Sequence, residues 1–77
     1  MSTASVGIYK DGNLLGTGTA DTAANTITSY SGTAPSNGRN IQVQNRATTN
    51  LGRSYSARVL SGSGTSTLTL DSAFPFA

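Results

Sequence analysis

Side-chain catalysis needs a nucleophile next to a base, or two carboxyl groups sharing a cleft. This chain of 77 residues is rich in Ser and Thr but contains no His, Cys or Glu. Its single Lys, Lys10, stands in Lys10-Asp11-Gly12, where the flank of a solvated hairpin explains it better than a Ser–Lys dyad. Asp11, Asp21 and Asp71 are the whole supply of carboxylates. Asp11 and Asp21 fall at turn signals and Asp71 at a strand end, so each has a backbone reason for its place. Asp11 with Asn13 could offer oxygens to a calcium ion, but the rest of a calcium loop is missing. Gly16 and Gly18 form a Gly-x-Gly with no helix behind it to hold a phosphate. Zinc and most transition-metal sites lack their usual ligands. Neither an enzyme nor a bound cofactor is expected.

What remains is the chemistry of contact. Arg39, Arg46 and Arg53 recur every seven residues, with Arg58 close behind. Together with Tyr9, Tyr30 and Tyr55 they resemble a sparse platform for single-stranded nucleic acid. They equally fit a protein contact, where Arg and Tyr are enriched as anchors. The net charge of +2 is far from a nucleic-acid footprint, so protein contact is preferred. Arg39 and Arg53 each open a strand and are expected to be able to cluster. Phe74-Pro75-Phe76 carries both Phe residues of the chain. Left free they would expose an apolar patch, so the tail either folds over an open end of the core or inserts into a partner. The candidate partner contacts are thus Arg39, Arg46, Arg53, Arg58, Phe74 and Phe76.

Strands must position these groups. In Tyr55-Ser-Ala-Arg-Val59 the residues Tyr55, Ala57 and Val59 share one face; in Thr67-Leu-Thr-Leu70 the residues Leu68 and Leu70 do. Ser61-Gly-Ser-Gly64 between them reads as a hairpin connection. Val6–Lys10 and Leu14–Ala20 form a second hairpin around Asp11-Gly12, a pair that supports tight turns. Gly16 and Gly18 inside the returning strand mark a bulge, a strong twist or close approach of another backbone. Thr26–Tyr30 is a third strand, and Arg39–Asn45 a fourth with Ile41 and Val43 inward and Gln42 and Gln44 outward. The fold class is all-β: one small domain over residues 1–77, a sandwich or barrel of about six mostly antiparallel strands. Residues 1–4 read as an N-terminal arm or the lead-in to a strand, and 72–77 as an apolar tail.

Charged residues make up 10% of the chain, against roughly 25% in ordinary domains, so its surface is hydroxyl- and amide-rich. A chain this short buries a modest core and has no disulfide to reinforce it, so completion of burial in a homo-oligomer, preferably a trimer, or on a larger partner is expected. No stretch is apolar enough to span a membrane, and no basic region leads into an apolar run at the N-terminus, so neither membrane insertion nor a signal peptide is expected.

The stretch Tyr55-Ser-Ala-Arg-Val-Leu-Ser-Gly-Ser-Gly-Thr-Ser-Thr-Leu-Thr-Leu-Asp-Ser-Ala-Phe-Pro75 resembles segments common in tailed-bacteriophage virion proteins. Tyr9-Lys-Asp-Gly-Asn-Leu-Leu-Gly-Thr-Gly-Thr19 is similar to parts of phage head and tail accessory modules. Taken together, the chain resembles the small head decoration, or cement, proteins. The resemblance implies a structural protein made in the host cytoplasm and located on the virion, binding the major capsid protein from outside and stabilising the shell. It implies no catalytic residues. Flat Thr, Asn and Gln surfaces would also suit edge pairing with a capsid strand. The alternatives are a tail or fibre module binding a receptor or carbohydrate, with Tyr9, Tyr30 and Tyr55 stacking on sugars, and a small barrel binding single-stranded nucleic acid. If the tail is the anchor, deleting residues 73–77 should weaken binding more than folding.

Overall fold

The structure, a computed structural model, describes residues 3–21, 23–48 and 51–75. Six strands follow one another: β1 (Thr3–Lys10), β2 (Asn13–Asp21), β3 (Thr26–Gly32), β4 (Asn40–Asn45), β5 (Ser54–Ser61) and β6 (Leu68–Leu70). They close into one antiparallel barrel in the order β1-β2-β3-β6-β5-β4, with β4 returning to β1. The all-β class, the strand number and both expected hairpins are present, and the choice between sandwich and barrel resolves to a barrel. Of the two readings of the N-terminal residues, arm or lead-in to a strand, Thr3 and Ala4 follow the second: they pair with Asp21 and Ala20 at the start of β1. Closure gives every strand a neighbour on each side, which removes the free edge that strand addition by a capsid subunit would use.

Local chemistry sets the corners. Asp11 and Gly12 both have positive φ, 53° and 81°, between the paired residues Lys10 and Asn13. Two such residues form the tight turn whose twist matches that of the flanking strands. Leu15 is one residue too many between the Ile8–Gly16 and Tyr9–Leu14 pairs, and Leu60 is likewise extra between Val59 and Ser61. A third irregularity lies in β3 opposite Gly18, where Ser29 has φ 53°. Such bulges bend a strand and raise its twist, as closing a short sheet requires.

Period-two alternation fills the interior. Val6, Ile8, Ile27, Ile41, Val43, Val59, Leu68 and Leu70 are all buried. The shortest seam, β3 to β6, has two paired positions, Thr26–Thr69 and Ile27–Leu68. It is reinforced from both sides. Asn25 donates from Nδ2 to the Leu70 carbonyl at 2.9 Å and accepts from the Leu70 amide at 2.7 Å. The Tyr30 amide donates to the Ser66 carbonyl at 2.8 Å.

Asn45 is the one fully buried polar side chain among the described residues. Its Oδ1 accepts from the Ala47 amide at 2.7 Å, while its backbone amide donates to the Arg53 carbonyl and its backbone carbonyl accepts from the Gly52 amide. It therefore ties down both ends of the β4–β5 connection. Removing a partner from buried polar groups costs about 1–3 kcal/mol. Asn45→Ala is expected to lose that much stability in urea, with increased proteolytic cleavage in the connection; an unchanged midpoint would show the loop to be organised otherwise.

Candidate functional site

The outer face of β2-β1-β4-β5 brings Arg46, one of the candidate contact residues, over Gly7 beside Tyr9. Cross-strand register places Leu14, Tyr9, Gln42 and Ser56 in one row across the four strands. The next row is Thr17, Gly7, Gln44 and Ser54. Gly7 leaves a gap in the second row, which neighbours cover. A Cβ there would lie 3.1 Å from Tyr9 Cε1, 3.2 Å from Arg46 Cδ and 3.2 Å from Leu14 Cδ1. An aromatic ring, an Arg stem and an exposed Leu thus converge over one backbone position, in a field of amides and hydroxyls. This is the combination found at the anchored centres of protein contacts.

The four Arg side chains are exposed, but they do not form one cluster. The Val59 amide donates to the Arg39 carbonyl and Arg58 pairs with Asn40, so Arg39 and Arg58 sit at one end of the β4–β5 pair. The Asn45 amide donates to the Arg53 carbonyl, which puts Arg53 beside Arg46 at the other end. Residues 39 and 45 are separated by about 20 Å of extended chain. The expected association of Arg39 with Arg53 fails because each opens its strand from an opposite direction.

Beside the first row, the β1–β2 turn overhangs β4 and β5 and leaves a cleft of about 210 Å³. Tyr9, Lys10, Asp11, Asn40, Gln42 and Ser56 line it. Lys10 Nζ lies 3.0 Å from Asp11 Oδ2. The other carboxylates are distant in role as well as in sequence. Asp21 accepts from the Ala23 amide at 2.9 Å, and Asp71 accepts from the Arg58 amide at 2.9 Å. Each does the turn or strand-end work expected of it.

The tyrosines separate in the same way. Tyr9 is half-buried at the cleft, whereas Tyr30 is buried, with its hydroxyl donating to the Thr33 carbonyl. Tyr55 packs its ring on Phe74, centroids 5.6 Å apart and planes tilted by 53°. Tyr30 and Tyr55 are thus unavailable for stacking on a sugar or base. Phe74, one of the proposed contacts, is 2% exposed and belongs to the core, so it presents no ring to a partner. The first of the two tail readings, folding over the core, holds for Phe74; Phe76 lies outside the described residues.

Burial, aided by the nearby Asp71 carboxylate, pushes the Tyr55 phenol up to about 12, and burial raises that of Tyr30 as well. A raised folded-state value means the stabilisation is complete below the ordinary value of 10 and is lost as pH climbs toward 12. Tyr55 is only partly buried, so solvent screens the effect. The unfolding midpoint is expected to fall across this alkaline window, and to fall less steeply in Tyr55→Phe. Equal slopes in the two proteins would remove Tyr55 as the cause.

No family model, curated protein or solved structure matches the chain.

Proposed function

We propose that the protein is a non-enzymatic structural component of a phage virion, which binds the outside of the assembled head through its major capsid protein and stabilises the shell. The observation that carries the reading is the patch where Tyr9, Leu14 and Arg46 converge over Gly7, on a four-stranded face otherwise made of amides and hydroxyls. Such a face can meet a protein without a strong charge pattern. Its rigid strands lose little freedom on docking. Many copies on a symmetric lattice would add their weak contacts into strong retention, and a homo-oligomer, a trimer first among the options, would add more.

Because the barrel is closed, this contact is made by side chains on a sheet face rather than by strand addition. The patch takes the place of Phe74 as the anchor. Purified protein is expected to co-sediment with heads lacking their decoration and to raise their resistance to heat. Arg46→Ala with Leu14→Ala should weaken co-sedimentation about tenfold or more, as loss of central anchors does, while leaving the unfolding midpoint nearly unchanged. Absence of binding by the unmodified protein at micromolar concentration would overturn the proposal.

A further inference from the structure

We propose that the cleft between the β1–β2 turn and the β4–β5 pair is a saccharide subsite, taking one pyranose residue of a glycan by its hydroxyl groups and one C–H face. The inference does not depend on capsid binding: of the patch over Gly7 it shares Tyr9 alone, and its other walls are the β1–β2 turn and the β4–β5 pair.

Size comes first. A volume of about 210 Å³ is small beside the roughly 300–1,000 Å³ of sites for drug-sized ligands. It suits a single ring and excludes a nucleotide. The lining then selects the kind of ring. Asp11 brings hydrogen-bond acceptors and Lys10 donors, 3.0 Å apart at one end. Asn40 and Gln42 bring amides that both donate and accept, and Ser56 a hydroxyl. Adjacent hydroxyls on a sugar ring present the same alternation of donor and acceptor. Tyr9 supplies a flat apolar wall with a polar tip, against which the C–H face of a pyranose can pack.

Other ligand classes meet specific obstacles. The charge of Lys10 is answered by Asp11, and a phosphate entering the cleft would meet that carboxylate. Asp11 is the only carboxylate among the lining residues, too few for a calcium or magnesium ion. An apolar ligand would find Ile41 98% covered and little else to bury against. A neutral polyhydroxylated molecule has none of these difficulties. The site is also prepared in advance. Tyr9 faces Gln42, and Gln42 faces Ser56, in the register of three paired strands. The turn that carries Asp11 is a tight two-residue one. Little ordering is left for a ligand to impose.

The test uses the full chain, labelled with ¹⁵N, and follows its amide signals by NMR. The probes are the methyl glycosides of glucose, galactose, mannose and N-acetylglucosamine, each at about 10 mM, a concentration that reveals even the millimolar affinity expected of one ring in a shallow cleft. The expected result is saturable displacement of the Tyr9–Gly12, Asn40–Gln42 and Ser56 signals by at least one glycoside, unaffected by added salt. Tyr9→Ala should weaken it tenfold or more, and Gln42→Ala, an exposed change that leaves the core intact, severalfold. Ser54→Ala, on the strand of Ser56 but not among the cleft's lining residues, should leave it unchanged. No displacement by any of the four, displacement elsewhere, or displacement by inorganic phosphate alone would overturn the proposal. None of these failures bears on co-sedimentation with heads, so the two readings fall separately.

Discussion

Phe74→Ala is expected to lower the stability of the barrel by about 3–5 kcal/mol, the usual loss when a buried Phe is truncated. A domain of this length has about 4–12 kcal/mol in total, so the variant should lose about a quarter of its stability or more. Phe74 lies beyond the last strand but is among the largest fully buried side chains, and its ring meets that of Tyr55. It belongs to the core cluster that fills the barrel. Phe74→Leu keeps most of the volume and should cost about 1.5 kcal/mol or less. Leu51→Ala, at a residue 69% exposed, serves as the surface control and should leave the urea midpoint where it was. If Phe74→Ala behaves like the Leu51 control, the ring is not part of the core in solution. The same burial reverses the order expected for tail deletion: removing residues 73–77 should impair folding first, and any loss of binding should follow from that.

The placement of Phe74 shows where reading the chain locally stops. Strand alternation places Tyr55, Val59, Leu68 and Leu70 inside; the last three are buried, and Tyr55 packs against the core while remaining partly exposed. Asp11-Gly12 announces its hairpin, because only a few residue pairs tolerate two positive φ values in succession. After Leu70 the alternation ends, and nothing in Ser72-Ala-Phe-Pro75 says which way the ring turns. The closing pairs β1–β4 and β3–β6 are invisible for a related reason. They join residues far apart in sequence, and no turn residue lies between them to mark the pairing. Ser29 gives no warning either, since Ser has no preference for the φ of 53° it adopts.

Asn45 was more accessible. It stands two residues after Val43 and four after Ile41, so the period that turns those two inward turns Asn45 inward as well. A polar residue on the buried parity of a strand, just before a loop, is the signal of a side chain holding that loop. For the candidate site, residue types were legible and neighbourhoods were not. Tyr9 and Arg46 are contact chemistry by residue type, but their meeting over Gly7 depends on β1 pairing with β4. Arg39 and Arg53, alike in sequence context, are placed at opposite ends by the same antiparallel pairing that joins their strands.

Gly32→Ala should be nearly as damaging as the loss of Phe74, for reasons of backbone rather than of burial. Gly32 pairs with Gly16 where β2 and β3 cross, and its φ is 132°. A Cβ on Gly32 would lie 2.5 Å from the Leu15 carbonyl oxygen and 2.6 Å from Gly16 Cα, both backbone atoms that a rotamer change cannot move aside. The mirror-image restriction holds at Gly16, whose Cβ would run into the Ser31 carbonyl and the Tyr30 hydroxyl. Two costs therefore add at Gly32. A side chain at such a φ costs about 1–3 kcal/mol, and forcing the strands apart costs about 1–3 kcal/mol more. Gly38→Ala separates them. Gly38 has a φ of 85° but open space where its Cβ would stand, so it should show the conformational cost alone. The expected order of urea midpoints is unmodified protein, then Gly38→Ala, then Gly32→Ala. If the two variants are equal, the strands are not pressed together at this crossing. Separation here would carry Tyr30 with it, because the Leu15 carbonyl accepts from the Thr33 amide at 2.8 Å and the Tyr30 hydroxyl donates to the carbonyl of that same Thr33. The amide signal of Tyr30, which donates to the Ser66 carbonyl beside the shortest seam, should then be the first to lose protection from hydrogen exchange in Gly32→Ala.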